Sequence, residues 1–310
     1  MAATRSIDGF SALTLATPAT GGIEATFVPG AGMVGYSLRH RGEELLGQRG
    51  GLGAYVAERK TMGIPLLYPW ANRLGSRRFS VAGRDVVIDP QATPLRLDAD
   101  GLPMHGLLSA AAGWQVERDD GAALAARFDF GADDKLMAAF PFAHDVLFEA
   151  TLDRATLTIT TTVRASGGTA VPIAFGYHPY LRLPGVERAD WEVEIPVSEQ
   201  LRLDARMLPT GERVPAHVAA GRLGTRTFDD AYAAPRDGAP FVLAGAGRRI
   251  ELAFAGGYPY AQVFAPADDD VIAFEPMTAP TNALVDNGPQ LPLLAAGETY
   301  RATFSISISD

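Results

Sequence analysis

Apolar and polar residues alternate with a period of two in several segments of this chain, and this pattern limits the possible folds more than any other feature. The alternation runs through residues 155–163, 191–195, 250–254 and 300–309. A period of two places successive side chains on opposite faces of an extended strand, as in an antiparallel sheet with one buried face. The sequence therefore predicts an all-β protein built from half-buried antiparallel strands.

Turn residues separate the strand-like segments, and long stretches of helical periodicity are missing. The turn signals lie at 82–83, 153–154, 167–168 and 245–247, in a chain with 33 Gly and 22 Pro. Such residues are typical of tight connections between strands. A short helix is expected only near Asp133–Ala139. Because no repeat or linker-like tract divides the chain, we expect residues 1–310 to form one domain, a large antiparallel β-sandwich.

Charge and composition exclude several classes of function. The formal net charge is −9, and no run of Lys or Arg is present, so an interaction with nucleic acid or an anionic membrane is not expected. The absence of cysteine excludes disulfides, thiolate metal sites and a cysteine nucleophile. Residues 1–20 contain no apolar run of signal-peptide length, and no segment has the length and apolarity of a membrane span. We therefore expect a cytoplasmic protein.

The pair Asn72-Arg73 closes an apolar and aromatic segment that begins at Pro65. The planar guanidinium of Arg presents several donors at once, which suits the hydroxyl and ring oxygens of a sugar. Trp70 offers an apolar surface next to them. The alternative is that Arg73 forms an ion pair with a structural carboxylate.

Two histidines stand in unusual surroundings. His105 precedes Gly106, a pattern that indicates a loop whose backbone approaches another part of the chain closely. His178 lies in an apolar and aromatic run and precedes Pro179, which favours an extended backbone at His178. The alternatives are that His105 is an ordinary loop residue, as a single loop histidine more often is, and that His178 is a hydrogen-bonded core histidine.

Glu275 gives the strongest single signal for a site. It follows the buried apolar segment 271–274, and we expect it at the end of that strand, before Pro276. A carboxylate in such a place is costly unless it is hydrogen-bonded or has a function. A structural ion pair is the alternative.

Weaker signals come from an acidic pair and from one glutamine. Asp229 and Asp230 stand beside aromatic residues, and Gln262 interrupts an apolar strand. The spacing of His105, His178 and Glu275 leaves a metal site open. His40, His144 and His217 are expected at the surface.

In this order, these segments resemble the aldose 1-epimerase (galactose mutarotase) family. The resemblance runs from about Glu24 to the C-terminus. Asn72-Arg73, His105-Gly106, His178-Pro179-Tyr180, Asp229 with Tyr232, Gln262 and Glu275-Pro276-Met277-Thr278 are similar to six short motifs of the family. Leu181 departs from the pattern, since an aromatic residue is common there. Asp230 leaves the assignment of Asp229 ambiguous by one position.

The resemblance implies a galactose mutarotase-like β-sandwich that interconverts the α and β anomers of a free hexose without a metal or organic cofactor. It implies that Glu275 is the base for the anomeric hydroxyl and that His178 is the acid for the ring oxygen. A protonated imidazole suits this role, and we expect nearby carboxylates to keep it charged. The remaining residues that the resemblance assigns to the sugar are Asn72, Arg73, His105, Asp229 and Gln262.

The partner is then an aldohexose such as glucose or galactose, and the protein is expected to be a monomer or a homodimer. Two alternatives stay open. One is a hexose-6-phosphate 1-epimerase, for which Arg77 and Arg78 are the local candidates to bind phosphate. The other is a sugar-binding module without catalysis. A glycosidase is disfavoured because it needs two carboxylates at one bond, and Glu275 alone stands out as well placed.

Overall fold

The computed structural model describes residues 3–17 and 22–310, and strands dominate it. In chain order the strands are β1 Ala3–Ile7, β2 Phe10–Ala16, β3 Ile23–Val28, β4 Val34–His40, β5 Glu43–Glu44, β6 Leu66–Leu67, β7 Arg78–Val81, β8 Arg84–Val87, β9 Arg96–Leu97, β10 Pro103–Met104, β11 Gln115–Asp119, β12 Ala123–Asp129, β13 His144–Asp153, β14 Thr156–Ala165, β15 Val171–Pro172, β16 Gly176–Tyr177, β17 Tyr180–Leu181, β18 Glu192–Glu194, β19 Glu199–Leu203, β20 Pro209–Pro215, β21 Gly221–Arg222, β22 Phe228–Ala233, β23 Phe241–Gly245, β24 Arg248–Gly256, β25 Tyr260–Ala265, β26 Ile272–Met277, β27 Leu293–Leu294 and β28 Thr299–Ser309. The helices are α1 Gly51–Glu58, α2 Asp134–Ala139 and α3 Ala283–Asp286, with 3₁₀ turns at Pro29–Ala31, Phe130–Ala132 and Arg188–Asp190.

Three larger sheets form the body of the protein. A five-stranded N-terminal sheet has the order β1-β2-β3-β4-β5. A nine-stranded sheet has the order β11-β12-β13-β14-β28-β24-β23-β18-β21. An eight-stranded sheet has the order β20-β19-β22-β25-β26-β16-β6, with β17 also pairing with β26. The paired strands of the described residues run antiparallel, which confirms the predicted sandwich of antiparallel sheets.

The inner face of the nine-stranded sheet packs against both other sheets. Tyr177 and Phe304 bring the eight-stranded sheet onto it, with ring centroids 5.0 Å apart. Phe27 and Phe148 do the same for the N-terminal sheet, at 5.3 Å. These rings belong to one continuous cluster of buried side chains that draws on all three sheets.

The strands predicted from alternation are confirmed at β14, β18, β24 and β28. The short helix expected near Asp133–Ala139 is α2, whose first turn is capped by the Asp133 carboxylate. Helix α1 was not predicted, because Gly51 and Gly53 are poor helix formers. Its buried Leu52 and Tyr55 pack into a cluster with the N-terminal sheet, so tertiary packing decides this helix.

Glu275 was expected at a strand end, and that expectation is wrong, because β26 continues through Pro276 to Met277. The N–H of Thr278 donates to the carbonyl of Phe175. Backbone nitrogens two residues apart in a strand point to the same side, so the nitrogen of Pro276 also faces the segment that contains β16 and β17. There the ladder is interrupted between β16 and β17, and a proline without an N–H is tolerated.

His40 and His144 are buried, and only His217 lies at the surface as predicted. Each nitrogen of His144 has a partner, the hydroxyl of Tyr68 and the carbonyl of Phe142. Within residues 3–17 and 22–310, no helix is long and apolar enough to cross a membrane. Part of the N-terminal stretch used for the localisation prediction, residues 1–2 and 18–20, lies outside the described residues.

Candidate active site

One row of polar side chains crosses the outer face of the eight-stranded sheet. Gln262 of β25 pairs in register with Glu275 of β26. On the other side of β26, Gly176 pairs with Met277 and Tyr180 pairs with Ala273. The same register brings His178, midway between Gly176 and Tyr180, directly opposite Glu275. Neighbouring residues on these strands, such as Tyr177 and Phe274, point into the core instead.

Glu275 and His178 contact each other in this row. The Nε2 atom of His178 lies 3.2 Å from Oε1 of Glu275, and the Glu275 residue is only 1% exposed. Among the described residues, the other carboxylate oxygen, Oε2, and the Nδ1 atom of His178 have no hydrogen-bond partner. Unpaired buried polar atoms are rare in folded proteins and indicate a site for a ligand or a reaction.

Asp229 of β22 extends the row. The amide Nε2 of Gln262 donates to the Asp229 carboxylate over 2.7 Å. Asp230 points to the opposite side of the strand and accepts a hydrogen bond from Gln200. Of the two neighbouring carboxylates, it is Asp229 that lies in the row with Gln262 and Glu275.

Two loops close the row from the side, and they contain Asn72, Arg73 and His105. The N–H of His105 donates to the carbonyl of Asn72 over 2.6 Å, and Arg73 forms a β-bridge with Met104. Asn72 and His105 both have a positive φ, 51° and 61°. The Asn72 amide donates to the hydroxyl of Thr281 over 3.0 Å, so this side chain ties the loop to the segment after β26.

Gly106 explains the tight turn after His105. A Cβ atom at this position would lie 2.2 Å from the carbonyl oxygen of Tyr68, and φ is +72°. The close backbone approach predicted from the His105-Gly106 pair is therefore present, and only glycine fits there.

These side chains line a cavity of about 140 Å³. Six of the seven predicted site residues line it, namely Asn72, Arg73, His105, His178, Asp229 and Glu275. Gln262 does not line it and contacts Asp229 instead. The cavity is smaller than the roughly 300–1,000 Å³ of sites for drug-sized molecules, so it suits one small ligand. Cavities of about 390 and 350 Å³ lie elsewhere on the surface, but neither contains Glu275 or His178.

Other lining residues were missed by the sequence argument: Arg49, Thr61, Arg96, Met104, Tyr180 and Phe264. Arg96 and Met104 are cross-strand partners in the small β9–β10 ribbon that precedes His105. Tyr180 stood within the His178 motif, and its position two residues after His178 predicts the same face of a strand. Arg49 and Thr61 come from the connection around α1, and no local pattern distinguishes them.

Burial dominates the electrostatics of the central pair. It raises the pKa of Glu275 well above the usual value, an effect that the charge of Asp229 increases and that of Arg73 opposes. Burial also lowers the pKa of His178 well below its usual value, with contributions from His105 and Arg49. The expectation that carboxylates keep this imidazole charged is therefore wrong. Together the two shifts mean that His178 and Glu275 hold one proton between them over a wide pH range.

His105 is neutral near physiological pH. Burial lowers its pKa to about 3, with further contributions from the charges of Arg96, Arg73 and Arg49. A neutral imidazole still donates a hydrogen bond from one nitrogen. Burial raises the pKa of Asp229 as well, partly offset by the hydrogen bond from Gln262.

The sequence left open a metal site and a phosphate site, and the geometry favours neither set of residues. In the described part of the chain, no group of three or more His, Asp or Glu side chains has a geometry that could hold a metal ion, and this includes His105, His178 and Glu275. Arg77 donates to the carbonyl of Gly101, and Arg77 and Arg78 are exposed and do not line the cavity. The guanidinium groups that do line it belong to Arg49, Arg73 and Arg96.

Comparison with known proteins assigns the fold and the family. The structure is similar to a galactose mutarotase-like protein from Clostridium acetobutylicum, with 18% identity, a TM-score of 0.85, and coverage of 100% of this chain and 98% of that chain. It is also similar to the galactose 1-epimerase from Lactobacillus acidophilus, with 14% identity, a TM-score of 0.76, and coverage of 100% and 99%. A third similar structure is a galactose mutarotase-like protein from Lactobacillus casei, with 15% identity, a TM-score of 0.74, and coverage of 96% of this chain and 100% of that chain. No curated protein matches the chain. The model of the aldose 1-epimerase family matches residues 20–307. The chain belongs to the aldose 1-epimerase family.

Proposed function

We propose that this protein is a mutarotase, which interconverts the α and β anomers of a free aldohexose such as glucose or galactose. The observation that supports this most directly is the contact between Glu275 and His178 in the wall of a small cavity. Mutarotation moves protons at the anomeric oxygen and at the ring oxygen, and both atoms are bonded to C1. A base and an acid that serve these two oxygens must therefore lie side by side.

Glu275 takes the proton of the anomeric hydroxyl, and His178 gives a proton to the ring oxygen. The C1–ring oxygen bond then breaks, the anomeric oxygen becomes the carbonyl of the open-chain aldehyde, and rotation about C1–C2 exposes the other carbonyl face. Reclosure reverses both transfers. One positioned proton transfer contributes about 10²–10⁴-fold to the rate.

The number of protons on the pair matches this cycle. A carboxylate with an imidazolium holds one proton, and so does a carboxylic acid with a neutral imidazole. Ring opening converts the first form into the second, and ring closure converts it back. The pKa shifts of Glu275 and His178 favour a pair that keeps one proton, held on Glu275 in the resting protein. In this proposal the proton passes to His178 over the 3.2 Å contact when the sugar binds, which produces the carboxylate and the imidazolium with which ring opening begins.

The other cavity residues bind and orient the sugar in this proposal. Arg73 and the neutral His105 donate hydrogen bonds near the ring oxygen, where negative charge develops before protonation is complete. Asp229 accepts from distal hydroxyls, and Gln262 holds the Asp229 carboxylate in place. Asn72 fixes its loop through Thr281 while lining the cavity.

A hexose 6-phosphate is a second candidate substrate, and one observation favours it. The side chain of Arg96 lines the cavity, and within the described residues it has no hydrogen bond or ion pair. A free guanidinium suits a phosphate group. Arg96→Ala should then raise the KM for glucose 6-phosphate far more than that for glucose, whereas the exposed Arg77→Ala, outside the cavity, should change neither.

Polarimetry of freshly dissolved α-glucose and α-galactose, with and without the protein, tests the proposed activity. A mutarotase accelerates the approach to the same final rotation. Binding of these sugars without acceleration would identify a sugar-binding module instead. The relative rates for glucose, galactose and glucose 6-phosphate, measured at equal concentration, distinguish the free from the phosphorylated substrate.

A further inference from the structure

The imidazole of His178 is oriented by ring packing. Its Nδ1 atom has no hydrogen-bond partner among the described residues, although a functional histidine is usually oriented through its second nitrogen. Instead, the ring of Tyr180 stacks on it, with centroids 4.0 Å apart and planes inclined by 16°. Phe264 contacts it edge-on at 5.3 Å. Tyr180 therefore fixes the plane of the imidazole, whose Nε2 atom contacts Glu275.

Tyr180 is itself held at its hydroxyl. Nη1 of Arg49 donates to this oxygen over 3.1 Å. The hydroxyl of Thr61 lies 2.6 Å away. Because Arg49 can only donate, the phenol oxygen accepts from it, and either hydroxyl can be the donor in the contact with Thr61. Burial raises the pKa of Tyr180 to about 12, so the phenol is neutral and both bonds are present near neutral pH.

Arg49 connects this arrangement to the rim of the cavity. Its Nε donates to the Asp269 carboxylate over 2.8 Å, and its guanidinium carbon lies 4.8 Å from the centre of the Tyr180 ring. Arg49 and Asp269 are each about one third exposed. The planar fork of an arginine can hold the carboxylate and the phenol in fixed directions at the same time, which a lysine cannot do.

We propose that Asp269, Arg49 and Tyr180 form a positioning chain that holds the His178 imidazole in line for proton transfer. In this proposal Arg49 is a positioning residue that acts on the chemical step through Tyr180, and its role is not to bind the sugar. The proposal rests on the proposed mutarotase function, in which His178 is the acid.

The charge of Arg49 gives the proposal a second, electrostatic consequence. The titratable or charged groups around the His178–Glu275 pair are His105, Tyr180, Arg49 and Arg96 near His178, and Asp229 and Arg73 near Glu275. A positive charge disfavours each added proton, so Arg49 moves the titration of the His178–Glu275 pair to lower pH. Removing the charge should shift both limbs of the pH–rate profile to higher pH.

Four variants test the proposal: Arg49→Gln, Arg49→Lys, Asp269→Asn and, as a matched control in the same turn, Asp268→Asn. Asp268 is exposed and has no hydrogen bond or ion pair within the described residues. We expect Arg49→Gln to lower kcat about two- to tenfold, the effect of one lost hydrogen bond, with KM changed less than about twofold. Both limbs of its pH profile should move upward.

Arg49→Lys should leave both limbs of the pH–rate profile in place, because it keeps the positive charge. It should lose part of kcat, because a lysine lacks the planar guanidinium. Asp269→Asn should give a smaller loss of kcat than Arg49→Gln, and Asp268→Asn should match the unmodified protein. Melting temperatures measured alongside correct the rates for folded protein. The proposal is overturned if KM rises while kcat is unchanged, because Arg49 then binds sugar directly. It is also overturned if Arg49→Gln and Asp269→Asn both match Asp268→Asn in kcat.

If the unmodified protein lacks mutarotase activity, the proposed function fails and the positioning chain is tested on the resting protein. The imidazole of His178 is then followed by ¹⁵N NMR. Asp269→Asn should broaden or split its signals, and Arg49→Gln should move its titration to higher pH while Arg49→Lys does not. Unchanged signals and an unchanged titration in these variants would overturn the proposal.

Discussion

Replacing Glu275 by Gln removes the proposed base while keeping the shape of the side chain. Glu275 is buried and contacts His178 at 3.2 Å, so the amide occupies the same space beside the imidazole. An amide cannot take a proton from the anomeric hydroxyl. We expect kcat to fall by about 10²–10⁴-fold, the contribution of one general base. Polarimetry with α-glucose or α-galactose measures this loss.

The same variant should become relatively more stable as pH rises. In the unfolded chain, Glu275 and His178 titrate near about 4.3 and about 6.5, so above about pH 6.5 the unfolded pair holds no proton. The folded pair keeps one, because burial raises the pKa of Glu275. The free energy of unfolding of the unmodified protein therefore falls with rising pH, by up to about 1.4 kcal/mol per pH unit.

Glu275→Gln lacks this dependence, because the imidazole that remains is neutral in the folded state. Between about pH 6.5 and 8.5 the variant should gain up to about 2.7 kcal/mol on the unmodified protein, as two pH units of one-proton linkage. Between about pH 4.3 and 6.5 the variant gains in the same direction for a different reason. The unmodified pair holds one proton in both states, so its curve is flat, whereas the variant binds a proton only when unfolded, so its stability rises with pH. Urea unfolding of both proteins across this range provides the measurement.

Two results would refute the reasoning. A folded Glu275→Gln protein that keeps more than about a tenth of the original kcat would exclude Glu275 as the base. Parallel curves of unfolding free energy against pH for the two proteins would show that the pair does not retain a proton in the folded state.

Three further predictions concern the acid, the sugar contacts and metals. His178→Asn should also lower kcat by about 10²–10⁴-fold. The double variant with Glu275→Gln should lose much less than the product of the two effects, because ring opening needs both transfers; multiplicative losses in kinetic assays would contradict a shared step. Asp229→Ala should raise KM more than it lowers kcat, whereas Asp230→Ala, on the other face of β22, should change both less than about twofold; the opposite order would shift the assignment by one residue. Prolonged chelation should leave the rate unchanged, because proton transfer between side chains and sugar oxygens needs no Lewis acid; a lasting loss that a divalent ion restores would contradict this mechanism.

The sequence predicts the parts of this fold that depend on local periodicity. Strand β28 alternates strictly and most of β14 does so, because one face of the nine-stranded sheet is buried and the other is largely not. Helix α1 escaped prediction because its glycines oppose a helix, and packing against the N-terminal sheet outweighs them. That residues 1–310 form one domain stays a prediction.

The candidate site was predictable where a polar side chain stands in an apolar segment of the sequence. Glu275 and His178 are polar residues in apolar strands, and both line the cavity. Arg49 and Arg96 were missed because an arginine in a loop or a two-residue strand is ordinary in any sequence. Only the tertiary structure brings such residues to the cavity. The protonation of the central pair was also misjudged, since the sequence shows which charges are near but not how deeply they are buried.

The register of three segments, β25, β26 and residues 176–181, limits the sequence changes that this protein can accept during evolution. Each segment sends alternate side chains to the cavity and to the core, so inserting or deleting one residue would exchange the two sets. Glu275 would enter the core, and Phe274 would face the cavity. Insertions or deletions within these segments should therefore abolish folding and activity together. New sugar preferences should instead arise by substitutions in the connections that contain Arg49, Arg73 and His105, which lie outside these three segments.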